Sequence, residues 1–192
     1  RTGFHVLVMK PQCNIRLLYS TLSSWEGIFK MATYTTTRGA ATFPVGGPAA
    51  QGVAQVAVGV YDYATNLAAA SIIEFCRVPA GAVVYGGYVQ AADLDTNATE
   101  EIDFDIGWAA NGIDAVDVDG FGNFGAQTGD VSLHLPVAGI WMPFANIIQH
   151  PGFKKFSAET VITGVINVDA ATLTAGTMKV VVNYIVDPNF AA

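Results

Sequence analysis

From Val53 to its end the chain repeats one pattern: short runs of β-branched and aromatic residues separated by Gly, Pro, Asn and Asp. Val53–Tyr63 (VAQVAVGVYDY) lies between Gly52 and Asn66, and Ser71–Val78 (SIIEFCRV) runs into Pro79-Ala80-Gly81. Val83–Gln90 (VVYGGYVQ) carries a glycine pair that marks a candidate bulge. Ile102–Trp108 (IDFDIGW) alternates strictly. Ile102, Phe104, Ile106 and Trp108 share one face, with Asp103 and Asp105 on the other, the pattern of a half-buried strand. Val131–Leu135 is short and stops at Pro136, and Thr160–Val168 and Thr177–Val186 follow around a turn containing Ala175-Gly176. No segment sustains a helical period with caps. Leu67–Ile73 and Ile140–Ile148 are the only places where a short helix fits.

Short strands at this spacing, punctuated by Gly and Pro, predict an all-β fold: a single antiparallel β-sandwich or jelly-roll-like domain over residues 53–192. Val180-Val181-Val182 is apolar on both faces, which predicts a strand covered on one side by a second sheet and on the other by a second subunit. Residues 31–52 are rich in Thr, Gly, Ala and Pro, a composition suited to an extended N-terminal arm that orders on a neighbour.

Composition sharpens this picture. The 192 residues are 52% apolar and only 13% charged, about half the usual charged share, so the chain has few ionic groups with which to cover an isolated surface. That points to a subunit that buries area against partners. The net charge of -7 is uneven: residues 1–30 hold four basic side chains and one acid, and residues 31–192 hold five basic and fifteen acidic ones. No Lys or Arg stands between Arg77 and Lys154. Such a surface repels phosphate backbones, which argues against direct nucleic-acid binding. No apolar run approaches the ~20 residues of a membrane-spanning helix. The two cysteines, Cys13 and Cys76, make neither a disulfide framework nor a zinc cluster.

Candidate chemistry is sparse. Asp93, Asp95 and Asn97 alternate like the start of an EF-hand, but Ala98 stands where that loop needs Gly and Phe104 where it needs the bidentate Glu. Asp114, Asp117 and Asp119 form a second acidic set. Asp93, Asp95, Asn97, Asp117 and Asp119 are therefore the calcium-ligand candidates, weighed against the ordinary preference of Asp and Asn for turns. Asn97-Ala98-Thr99 fits a glycosylation sequon without other support for a secretory route. Ser132 and His134 share a strand face, but with His5 and His150 they complete no recognisable catalytic motif. The expectation is a non-enzyme without cofactor. Gly120–Gly125 (GFGNFG) reads as a contact loop whose Phe121 and Phe124 bury against a partner. Phe43, Trp141, Lys154 and Lys155 are the remaining interface candidates, the lysine pair meeting the acidic stretch of a neighbour head to tail.

The runs GVYDYATN, VPAGAVV, AADLDTNATEEIDFDIGW, AETVITGVINV and AGTMKVVVNYIV occur in an order that resembles small virion proteins of tailed bacteriophages, over about residues 50–187. The resemblance implies a compact β-domain, oligomeric with a trimer favoured. It would be bound to the major capsid protein or other virion proteins as a decoration or cement subunit on the capsid exterior, and made in the bacterial host cytoplasm. It implies no catalytic residues. A carbohydrate- or host-surface-binding module of a fibre or spike is the alternative, with Trp108, Trp141, Phe121 and Phe124 as its aromatic candidates.

Any codon choice for Trp25-Glu26-Gly27 contains GGGARGG, a purine-rich ribosome-binding sequence, and three codons (Ile28, Phe29, Lys30) separate it from the ATG of Met31. Translation from Met31 is expected, with residues 1–30 an upstream extension or a disordered lead. Intact-mass measurement of natively expressed protein checks this: a species beginning at or just after Met31 is expected, and one retaining Arg1–Lys30 overturns it.

Overall fold

The computed structural model describes residues 32–42, 53–98, 100–125, 141–144 and 152–187. They form ten strands: β1 Thr33–Thr35, β2 Gln55–Tyr63, β3 Ile72–Val78, β4 Ala82–Ala91, β5 Asp103–Trp108, β6 Asp117–Gly125, β7 Trp141–Pro143, β8 Lys154–Lys155, β9 Thr160–Val168 and β10 Gly176–Val186. Among the described residues there is no helix. Leu67–Ile73, where a short helix fitted, is a turn leading into β3. Sheet I runs β1-β3-β9-β5-β6 and sheet II runs β2-β10-β4-β7, with β8 also on β4. All pairings are antiparallel except β1 on β3. The expected all-β sandwich is the observed fold.

Alternation assigns the faces. Ala57, Tyr61, Tyr63, Met178, Val180, Val182, Tyr184, Val84 and Val89 of sheet II pack into the core with Ile73, Phe75, Phe104, Ile106, Ile162 and Ile166 of sheet I. With a side-chain period of two, Val56, Val58, Val60, Lys179 and Val181 lie on the outward side of sheet II. The β4–β10 register skips Tyr85 between Asn183 and Tyr184, a bulge beside the Gly86-Gly87 pair.

Two expectations change. Thr33–Thr35, assigned to the arm, is a strand of sheet I. Thr36 N–H donates to the Glu74 carbonyl at 2.9 Å, Ile72 N–H donates to the Ala32 carbonyl at 2.8 Å, and Arg77 Nε donates to the Gly39 carbonyl at 2.8 Å. Residues 32–42 are thus held by their own subunit, because β3 offers an open backbone edge and a guanidinium to the passing chain. The rest of the expected arm, residues 43–52, lies outside the described residues. Strand β5 is not half-buried: all six of its residues are buried, Asp103 and Asp105 included. Its two edges pair with β9 and β6, and its burial shows that both of its faces are covered as well.

The sheets close together at one corner. A Cβ at Gly59 of β2 would lie 2.4 Å from the carbonyl oxygen of Phe75 in β3, so only a residue without a side chain lets the two backbones meet. At Gly86 a Cβ would meet nothing within 4 Å. Gly59→Ala is expected to cost about 1–3 kcal/mol or more in unfolding free energy, and Gly86→Ala about 0.5 kcal/mol or less. Denaturant unfolding of the two variants measures the contrast.

Candidate interaction surface

The carboxylate of Asp95 is the most constrained of the expected ligands. It is 2% exposed. Its Oδ1 accepts N–H bonds from Asn97 at 3.2 Å and Thr172 at 2.9 Å, and its Oδ2 accepts from Glu101 and Ala171, both at 2.9 Å. Burial alone pushes this carboxyl up, but the four backbone donors outweigh it and hold the group at about 2, against an ordinary 3.8. Thr96 N–H on the Thr172 carbonyl and Thr174 N–H on the Leu94 carbonyl complete a clasp between the 94–101 and 171–174 segments. Asp93 and Asn97 are exposed beside it, and Asn97 donates its amide to Thr172 Oγ1. Asp95 spends its lone pairs on four backbone N–H groups and ties the 94–101 and 171–174 segments together.

The second acidic set divides in two. Asn111 organises the β5–β6 connection. Its Oδ1 accepts from Ile113 N–H at 2.9 Å and Asp114 N–H at 2.7 Å, and its Nδ2 donates to Asp114 Oδ2 at 2.8 Å and Thr160 Oγ1 at 2.6 Å. Gly112 supplies the left-handed residue of this turn, with φ 90°. Asp114 also accepts from Ser157 N–H at 2.9 Å and pairs with Lys154 at 3.4 Å. Burial opposes its ionisation, but these hydrogen bonds and the lysine charge prevail and its carboxyl titrates below the ordinary range. Asp117 goes the other way: burial, then the adjacent Asp119 carboxyl, push it up, and Lys154 offsets part of the effect. Among the described residues no three His, Cys, Asp or Glu side chains are grouped to hold a metal.

The expected interface residues are redistributed. Phe121 and Phe124 are not in a loop but in strand β6, and both are wholly buried. Gly120 of the same strand leaves room for Trp108: a Cβ there would fall 2.1 Å from the indole. Phe121 stacks on Phe144 with centroids 4.7 Å apart, and Phe124 stacks on Phe104 at 5.9 Å. Lys154 turns onto its own subunit, its Nζ 4.9 Å from the Trp108 ring and 5.4 Å from the Phe156 ring. Lys155 is half-buried and lines a cleft with Ala80, Gly81 and Ser157. Trp141 contributes backbone to β7; its side chain, with Phe43, Ser132, His134 and His150, lies outside the described residues. Cys76 is buried, which pushes its thiol up to about 12, so it is no nucleophile.

Exposed aliphatic residues, which the sequence reading passed over, mark the surface instead. The exposed large apolar side chains among the described residues are Val53, Val56, Val60, Tyr85, Ile113, Val116 and Val118. Three belong to β2 and its lead-in, two to the β5–β6 connection and one, Val118, to the start of β6. Ile113, Val116 and Val118 stand among Gly and Asp turn signals, where the sequence suggests solvated loop; that mismatch was the available signal.

No protein-family model and no curated protein matches the chain. Solved structures do. A chain of the Ralstonia phage GP4 capsid superposes with a TM-score of 0.62 at 17% identity, covering 82% of this chain and 100% of that one. A chain of the cyanophage Pam1 capsid asymmetric unit superposes with a TM-score of 0.55 at 24% identity, covering 77% of this chain and 94% of that one. At these identities the likeness is one of fold.

The Asp95 clasp carries a pH dependence. Its folded value lies below the ordinary 3.8, so its stabilisation is complete above that pH and drains away as pH falls through it toward about 2. The full contribution is about 2 kcal/mol. Asp95→Ala is expected to remove it at neutral pH and to flatten the acid limb of the stability profile. Urea unfolding of both proteins between pH 2 and pH 7 checks this; an unchanged acid limb in the variant refutes the assignment.

Proposed function

We propose that the chain is a structural subunit of a phage virion, and within it a decoration or cement subunit that stabilises the head by protein–protein contact. The observation that carries this reading is the fold shared with chains of two phage capsids, over 100% and 94% of those chains. The low charge of the chain supports it, since a subunit that is 13% charged gains by covering its surface with neighbours. A cement subunit needs no reaction: contact area that exists only in the assembled shell shifts the equilibrium toward the shell. In this reading the chain is a non-enzyme. Its partners are the major capsid protein and further copies of itself, with a three-fold oligomer favoured. It is made in the bacterial host cytoplasm and sits on the capsid exterior.

A glycan-binding fibre or spike module has no observation in its favour. Trp108, Phe121 and Phe124, three of the four aromatic side chains it would expose, are buried in the core.

Cryo-electron microscopy of particles made with and without the protein tests the proposal. Density for the sandwich is expected at fixed lattice positions on the outer shell, and particles lacking the protein are expected to release their genome at lower temperature. Absence of the chain from purified particles overturns it.

A further inference from the structure

Asn111-Gly112 is the only Asn-Gly step in the sequence, and it stands in the β5–β6 connection. Asparagine followed by glycine is the dipeptide most open to spontaneous loss of ammonia. A glycine nitrogen has no adjoining side chain to obstruct its approach to the asparagine side-chain carbon. The fold nevertheless requires both residues here. Gly112 is exposed and takes φ 90°, the left-handed conformation that glycine adopts without strain. Asn111 has to accept and donate at once. Its Oδ1 accepts from Ile113 N–H at 2.9 Å and Asp114 N–H at 2.7 Å. Its Nδ2 donates to Thr160 Oγ1 at 2.6 Å, Asp114 Oδ2 at 2.8 Å and the Ala158 carbonyl at 3.3 Å. An ionised aspartate has no N–H to offer those three oxygens.

The same bonds oppose the reaction. Ring closure needs the Gly112 nitrogen against Asn111 Cγ, and therefore an amide free to turn. Here the amide is held at both ends, its oxygen on the 113–114 backbone and its nitrogen on Asp114 and the 158–160 segment. We propose that Asn111-Gly112 is a deamidation site, locked while the tip is closed, and that its conversion releases the tip irreversibly. In the open tip the Gly112 nitrogen gives its proton to hydroxide and bonds to Asn111 Cγ. The Cγ–Nδ2 bond breaks, and ammonia leaves with a proton taken from water, which regenerates the hydroxide. Water then opens the cyclic imide at either carbonyl, leaving aspartate or isoaspartate. The new carboxylate faces the Asp114 carboxylate and the Ala158 carbonyl, oxygen to oxygen, where N–H groups stood. Lys154, 3.4 Å from Asp114, offsets only one of the two charges. Isoaspartate also adds a carbon to the backbone of the turn that Asn111 N–H closes on the Asp114 carbonyl at 3.3 Å. The tip carries the exposed Ile113 and Val116, so its release changes the apolar surface that the subunit presents. The inference does not rest on the virion reading.

Peptide mapping of the full chain by mass spectrometry, after storage in mildly alkaline buffer, tests it. In denaturant the peptide containing Asn111 is expected to convert to a mixture of aspartate and isoaspartate. In native buffer the conversion is expected to be about tenfold slower or more, because it then proceeds only through the open fraction. Gly112→Ala should slow the reaction in denaturant, which assigns the attack to the nitrogen of residue 112. Asn111→Asp reads the consequence alone: amide hydrogen exchange is expected to quicken over residues 112–116 while the sandwich strands keep their protection. Adding Asp114→Asn returns an N–H donor to the pair and should recover part of the lost protection. The wild-type rates decide the lock even if a variant fails to fold. Equal rates in native buffer and denaturant overturn the lock, and no conversion in denaturant overturns the site. Unchanged exchange in a folded Asn111→Asp overturns the release.

Discussion

The sandwich depends on a column of aromatic rings that exists because two strands give up side chains to make room for it. Phe156, Trp108, Phe121 and Phe144 follow one another with centroids 5.4, 5.1 and 4.7 Å apart. Trp108 occupies the space above Gly120 in sheet I, and Phe144 the space above Gly87 in sheet II. Each buried ring is worth roughly 1.5–3 kcal/mol, and the column links the β5–β6 side of sheet I to the β4–β7 side of sheet II. Trp108 also carries the order outward: its indole N–H reaches the Ala115 carbonyl and its ring supports the Lys154 ammonium, which in turn pairs with Asp114. The rigidity of the exposed tip is thus inherited from the core. A residue that looks like a surface feature, Ile113, is positioned by a tryptophan that faces inward.

The acidic residues follow a related logic. In a chain so short of charge, each carboxylate placed at a loop is costly unless it is used. Asp95 gathers four backbone N–H groups from two distant segments, and Asp114 gathers an amide, a backbone N–H and an ammonium. Both replace hydrogen bonds that irregular backbone would otherwise seek from water. The oxygen-rich spacing that suggests calcium also closes loops here, because a carboxylate surrounded by N–H donors and one surrounded by a cation demand the same residue type.

The strands with β-branched alternation were legible: Thr160–Val168 coincides with β9, and β2, β3, β4, β5 and β10 differ by at most two residues at an end. Strand β6 was not. Its glycines at 120, 122 and 125 are the punctuation of a loop by composition, yet Gly120 and Gly125 are there to admit Trp108 and Asp103. A close approach between strands distant in sequence leaves the same letters as a turn. Strand β1 was missed for a different reason: three residues of parallel pairing have no local pattern and depend entirely on the β3 edge. The interaction surface was the least legible. Alternation places Val56 and Val60 on the face opposite Ala57 and Tyr61, but cannot say which face becomes the core.

That last ambiguity is physical. Val180 and Val182 point into the sandwich and Val181 points out, and all three are valine. Val181 is only 5% exposed, so its outward side is covered, whereas β2 beside it keeps Val56 and Val60 exposed where a strand facing water would place polar residues, as Lys179 does in a neighbouring row. An edge strand in contact with water would also carry Lys or Pro to discourage pairing, and β2 has neither. Apolar residues therefore persist on an outer face and along an edge where solvent alone would select against them. Exposed valines on the outer side of β2 are the kind of apolar surface that contact with another protein covers.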